Sequence, residues 1–157
     1  MKKLILISSI ILAGGCATPF PLSQYASDKE DIQAKEFQVP SNNTANLYVY
    51  RDKSVGPFYG AKIFIDNKEI ATTHGKTYFV VNVSPGEHFI ESYTEEKSIK
   101  KNFSVLPNSN NYIKIDPNVD GFGVTMNIII SDEKTGKSGV LQSKLIEIIK
   151  YVIWTNQ

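Results

Sequence analysis

A lone thiol is the most reactive group that this chain places deliberately. Cys16 is the single cysteine, and it closes the opening MKKLILISSIILAGGC directly after Gly14 and Gly15. Lys2 and Lys3 give a basic start, and Leu4 to Ala13 follows without a charge. This is the layout of a secretory signal with its cleavage point between Gly15 and Cys16. The apolar run is too short to cross a bilayer as a stop-transfer helix, which takes roughly 20 residues. With no second cysteine in the chain, the thiol has no partner for an internal disulfide.

The arrangement resembles the lipobox of bacterial lipoproteins. That resemblance implies that the Cys16 thiol receives a diacylglycerol, that the signal of residues 1–15 is cut off, and that the new amino group is acylated. Ala13 stands where the family prefers Leu, with Leu12 one place further back. Each buried methylene contributes about 0.8 kcal/mol, so two or three chains on Cys16 would anchor the protein durably. Ala17 follows the cysteine in place of Asp. In lipoproteins this favours the outer membrane, facing the periplasm, and the tether also permits surface display. An ordinary signal peptide with an incidental Cys16 is the alternative.

The remaining reactive residues make a poor case for catalysis. His74 and His88 are the only histidines, and they fall in separate turns. A zinc site needs three or four ligands, so Asp66 or Glu69 beside His74 is a weak candidate, and no metal or cofactor is expected. No Gly-x-Ser-x-Gly elbow occurs, and Ser84 before Pro85 suits a turn. Thr135-Gly136-Lys137 lacks the glycine spacing of a phosphate loop. The sequence therefore points away from an enzyme. Removing Lys2 and Lys3 with the signal leaves 15 basic residues against 16 acidic ones. That balance, with only Lys100 and Lys101 as a basic pair, argues against nucleic acid.

Arg51, Tyr48 and Tyr50 are the candidate interaction residues. Strand alternation puts Arg51 on the face of Leu47 and Val49, where a guanidinium needs a carboxylate or carbonyl partner. Tyr48 and Tyr50 share the opposite face. An exposed row of such rings could receive a protein or stack on sugars, and a covered row would be a second packing layer.

The elements that must position these residues are mostly strands. Removing 15 of 157 residues leaves 142, enough for one domain with its own core. Residues 16–45 look like a lipidated tether, punctuated by Pro19, Pro21 and Pro40. Ser27 with Glu30 three residues on is a capping-box signature, predicting a short helix from about Asp28 to Phe37, with a solvated charged linker as the alternative. From residue 46 onward, short runs such as LYVY, KIFID, TYFVVNV and GFGVTMNIIIS alternate with turn signals. Asn67-Lys68, His74-Gly75 and Ser84-Pro85-Gly86 are expected turns, and Glu95, Glu96 and Lys97 a charged hairpin tip. Asp132 to Gly139 reads as a polar loop. Leu141, Leu145, Ile148 or Ile149 and Val152 have helical spacing, yet Ile146, Ile148 and the run Tyr151 to Trp154 fit a strand equally. A short helix starting near Val140, followed by an extended tail, is the expectation.

Several ordered motifs resemble a widespread bacterial lipoprotein domain of unknown function. They are AKEFQVPSNNTANLYVYR (34–51), AKIFIDNKEIATT (61–73), Gly75 with Tyr78, the turn Pro85-Gly86 with His88, and Gly139-Val140-Leu141-Gln142. The resemblance spans residues 34–146, and its Pro-Gly-x-His turn also occurs in PEGA-type domains. It implies a prealbumin-like β-sandwich and brings no catalytic residues.

The sequence thus predicts a mainly β protein. It is a single antiparallel sandwich of seven or eight strands over residues 46–157, with a short N-terminal helix and a short C-terminal one. The expected role is a lipid-anchored, non-catalytic protein-interaction module of the bacterial envelope. A glycan or peptidoglycan binding module is the alternative, and it requires an exposed aromatic row flanked by Asn or Asp. An envelope hydrolase would require a cleft joining Ser or Asp to a histidine.

Overall fold

The computed structural model describes residues 22–55, 59–94, 97–120 and 123–149. Gly15, Cys16 and the signal, Gly56 and Pro57, the tip residues Glu95 and Glu96, and the run Tyr151 to Trp154 lie outside them. Within the described residues the order is α1 (Asp28–Ala34), β1 (Ala45–Arg51), β2 (Ala61–Ile65), β3 (Lys68–Thr73), β4 (Thr77–Val83), β5 (Gly86–Tyr93), β6 (Ser98–Val105), β7 (Ser109–Asp120), β8 (Gly123–Ser131), α2 (Glu133–Leu141) and β9 (Lys144–Leu145).

The strands form two sheets, ordered β8-β7-β1-β4-β9 and β3-β2-β5-β6. Their inner faces meet in a core of Leu47, Val49, Ile63, Ile65, Phe79, Val81, Ile90, Ile113 and Ile115, among others. This is the expected mainly β sandwich. It is not antiparallel throughout, because β1–β7 and β4–β9 pair in parallel. The chain leaves the first sheet after β4, builds β5 and β6 in the second, and returns on the far side of β1.

Local chemistry sets the turns. Between β2 and β3 the turn residues are Asp66 and Asn67, one place earlier than expected, and both have positive φ, 48° and 65°. Asp and Asn tolerate that region, which the favoured two-residue hairpin turns require. Gly86 after Pro85 has φ 124°, a value that an L side chain resists.

A third layer covers the outer face of the five-stranded sheet. Tyr48, Tyr50, Tyr78 and Tyr112 form a second cluster with Val140 and Leu145, and Ala34 and Phe37 pack against it. Helix α1 has the predicted capping box between Ser27 and Glu30. It stops at Ala34, and Phe37 adopts φ 53°. Helix α2 differs from the expectation. It begins at Glu133, inside the segment read as a polar loop, and its start is capped by Asp132 accepting from the Thr135 N–H. Two glycines explain how this polar helix can dock on the sheet. A Cβ on Gly136 would overlap the Tyr112 ring and one on Gly139 the Tyr50 ring, so the bare backbone is what lets α2 lie on the tyrosines.

The tether is also shorter than expected. From Leu22 the chain is docked: the Ser23 N–H donates to the Thr72 carbonyl at 3.2 Å, and Ala26 N–H to the Leu145 carbonyl at 3.0 Å. Tyr25 forms a β-bridge with Ile146.

Candidate functional site

The three residues singled out from the sequence are inside the protein. Tyr48 is 3 % exposed, and Tyr50 and Arg51 are fully buried. Tyr48 stacks on Tyr112 with centroids 5.3 Å apart, and its hydroxyl donates to the Ala34 carbonyl at 3.1 Å. Tyr50 Oη lies 2.9 Å from Ser131 Oγ. The rings form the covered packing layer, and they present no open row to a partner. Arg51 donates from one terminal nitrogen to the Tyr59 carbonyl at 2.6 Å, tying the end of β1 to the approach to β2. Its Nε and other terminal nitrogen have no partner among the described residues. Burial lowers its pKa to about 10.

The histidines are similarly spent. His88 Nδ1 lies 2.6 Å from Asp66 Oδ2, and Nε2 lies 2.8 Å from the Ser84 carbonyl oxygen. Serine, histidine and aspartate do converge here, but the ring faces the Ser84 backbone oxygen. In this geometry no serine hydroxyl is offered to the ring as a nucleophile. The trio ties two turns together. His74 sits at the other end of the β2–β3 hairpin, so it does not join Asp66 in a metal site. Among the described residues no group of three metal-ligating side chains occurs. His74 lines a hollow of about 540 Å³ with Leu22, Ser23, Gln24, Tyr25, Ser54 and Gly75. Burial and then the Arg51 charge lower its pKa, against a hydrogen bond to the Gly75 backbone that raises it.

The sheet edges are a further candidate surface. Each sheet has two edges, and an unpaired edge is a template for another strand. The chain itself covers two of them. Ser23 N–H and Ile149 N–H donate to the Thr72 and Ile70 carbonyls of β3, and Ala26 N–H with the Tyr25–Ile146 bridge covers β9. The other two, β8 and β6, bound the opposite flank. They differ in chemistry. Edge β6 carries Lys100 and Lys101, the kind of charge that blunts strand addition. Edge β8 is GVTMNIIIS, nine residues without a charge or a proline. Val124, Met126 and Ile128 point inward, while Asn127, Ile129 and Ile130 are exposed. Nearby charges are already paired: Lys114 Nζ lies 3.0 Å from Asp52 and 3.3 Å from Asp116. Lys101 of β6 reaches this edge and donates to the Ile128 carbonyl at 3.1 Å.

Sequence reasoning identified the GFGVTMNIIIS run as a strand but not as an edge, since edge status depends on sheet order. The available signal was the absence of any Lys, Glu or Pro from Gly123 to Ser131.

A family model described as "Protein of unknown function (DUF2846)" matches residues 41–125, from the approach to β1 into β8. The chain belongs to the DUF2846 family. Its match takes in both sheets and stops short of α2. An "Uncharacterized protein" of Haemophilus influenzae is 28 % identical over 144 residues, covering 89 % of this chain and 83 % of the relative. Neither match carries a stated activity.

Proposed function

We propose that this DUF2846 protein is a lipid-anchored lipoprotein of the bacterial envelope that acts as a non-catalytic protein-interaction module, receiving an extended segment of another envelope protein along β8. The observation that carries the reading is the uncharged, nine-residue strand β8 at the end of the five-stranded sheet. Backbone groups on such an edge supply affinity, and alternate side chains such as Asn127 and Ile129 supply selectivity. The anchor is supported by the signal ending at Cys16. Docking of the chain from Leu22 leaves residues 17–21 between that cysteine and the domain, at most about 20 Å when extended. The edge would thus work close to a membrane surface.

Two measurements test this together. Mass spectrometry of the protein purified from membranes should find an N-terminal peptide that starts at an acylated Cys16, and an uncut or unmodified terminus contradicts the anchor. Crosslinking in living cells should capture one envelope protein that is lost both with Cys16→Ser and with Asn127→Lys, which places a charge mid-edge. Capture that ignores both substitutions contradicts the interaction reading.

A further inference from the structure

The outer face of the four-stranded sheet breaks the usual rule for a solvated β-surface. In such a sheet, inward positions are apolar and outward ones polar. Here the inward residues are buried: Ile63 and Ile65 on β2, and Ile90 on β5 with the polar His88 and Ser92 either side of it. The outward set is Lys62 and Phe64 on β2 and Phe89, Glu91 and Tyr93 on β5. Three of these five are aromatic, and Tyr93 is 42 % exposed.

Register gathers them around one carboxylate. Glu91 pairs directly with Phe64 across the β2–β5 ladder, and Tyr93 pairs with Lys62. On the other side Glu91 faces Lys100 and Phe89 faces Asn102. Lys62, Phe64, Asn67, Glu91 and Tyr93 line a shallow hollow of about 370 Å³. Glu91 also accepts from the Ser98 hydroxyl.

Three features select the occupant. First, β2 and β5 are the two inner strands of this sheet, so their backbone groups are used and no strand can add here. Recognition must run through side chains. Second, the charges balance locally. Lys62 Nζ lies 3.2 Å from Glu69, and Lys100 Nζ sits 3.3 Å over the Phe89 ring beside Glu91. A balanced site does not favour a polyanion. Third, the hollow offers aromatic surface together with a carboxylate acceptor, an amide and an ammonium group. A pyranose ring has the matching chemistry, with an apolar C–H face and hydroxyls that both donate and accept.

We infer that this face binds a neutral saccharide, with Tyr93 and Phe64 against the ring and Glu91 and Asn67 on its hydroxyls. This surface is separate from β8 and does not depend on the anchor. The sequence offers an aromatic row at Tyr48 and Tyr50; the outward row is instead Phe64, Phe89 and Tyr93, the first two half-buried and Tyr93 exposed.

Calorimetry on the full-length protein, in micelles of lauryldimethylamine oxide to keep sugar-headed detergents out, would use tri-N-acetylchitotriose and cellotriose as probes. Saturable binding of at least one is expected, weakened about tenfold by Tyr93→Ala and by Glu91→Gln. Glu91→Gln keeps the side-chain shape, so it carries the test if Tyr93→Ala fails to fold. Cys16→Ser should bind as the parent does. No saturable binding of either sugar, or undiminished binding by Glu91→Gln, overturns the proposal.

Discussion

Tyr78 Oη donates to Asp31 Oδ1 at 3.0 Å, and that bond fastens the N-terminal helix to the middle of the sandwich. Asp31 is 6 % exposed, and its carboxylate is fully engaged. It also accepts from the Leu145 N–H at 3.0 Å and from Lys35 Nζ at 3.1 Å. Lys35 donates onward to the Ser143 carbonyl at 2.7 Å. One side chain thus joins α1, β4 and β9, and it explains why residues 22–37 are docked instead of hanging free. Asp31→Asn should lower unfolding stability in urea by about 1–3 kcal/mol, because it removes the charge while leaving Lys35 in place. Tyr78→Phe should cost about 1 kcal/mol, since the carboxylate keeps its other donors. Additive losses in the double variant would contradict a shared network.

The same carboxylate sets a pH dependence. Burial raises the Asp31 pKa, but the bonds from Lys35, Leu145 and Tyr78 outweigh it, and the net shift is below the ordinary 3.8. A carboxylate with a depressed folded pKa stabilises the protein above its unfolded pKa. That contribution is lost as pH falls through the folded value. Stability measured by urea unfolding should therefore decline below about pH 4, and the decline should be shallower in Asp31→Asn. Parallel profiles for the two proteins would refute the assignment.

Arg51 makes the opposite prediction to most buried charges. It is fully buried with one carbonyl partner and two nitrogens unpartnered among the described residues. Its pKa is lowered by burial to about 10, so the fold penalises the charged form at neutral pH. That penalty is relieved as pH rises through the folded value. Arg51→Met should leave stability within about 1 kcal/mol of the parent or raise it, because it replaces a poorly paired charge with an apolar chain. A loss of about 3 kcal/mol or more, the penalty for breaking a well-satisfied buried pair, would show that the guanidinium is better partnered than its described contacts indicate.

Gly139 separates two effects of opposite sign. In an exposed helix, Gly→Ala gains about 1 kcal/mol from propensity. Here the added methyl would overlap Tyr50, whose ring is buried and whose hydroxyl is held by Ser131. Overpacking of that kind costs about 1–3 kcal/mol, so Gly139→Ala should be destabilising on balance. A rise in melting temperature would mean that α2 can lift off the tyrosine layer.

Much of the sandwich was legible because alternation is a local signal. Leu47 and Val49 fall on one face of β1, Tyr48 and Tyr50 on the other, and Ser27 with Glu30 announced α1. Three things were not local. The parallel pairing of β1 with β7 joins Ala45 to Ser109 across the chain. Helix α2 looked like a loop because Gly136 and Gly139 are poor helix formers whose reason for being there is the Tyr112 and Tyr50 rings. Burial of the tyrosine face depended on α1 and α2 docking over it, which no strand period encodes. Of the candidate surfaces, the lack of charge in β8 and the outward Phe64 were visible as residues. Their places in the sheets were not.

The central claim is that β8 is the working edge of an anchored protein. The most direct test puts a photoreactive side chain at position 127, in the middle of β8, and separately at exposed position 29 on α1, in cells carrying Cys16 or Cys16→Ser. The account predicts a discrete protein adduct from position 127 only, lost in Cys16→Ser. The same adducts from both positions, or an adduct from position 127 that persists at full yield without Cys16, would contradict it.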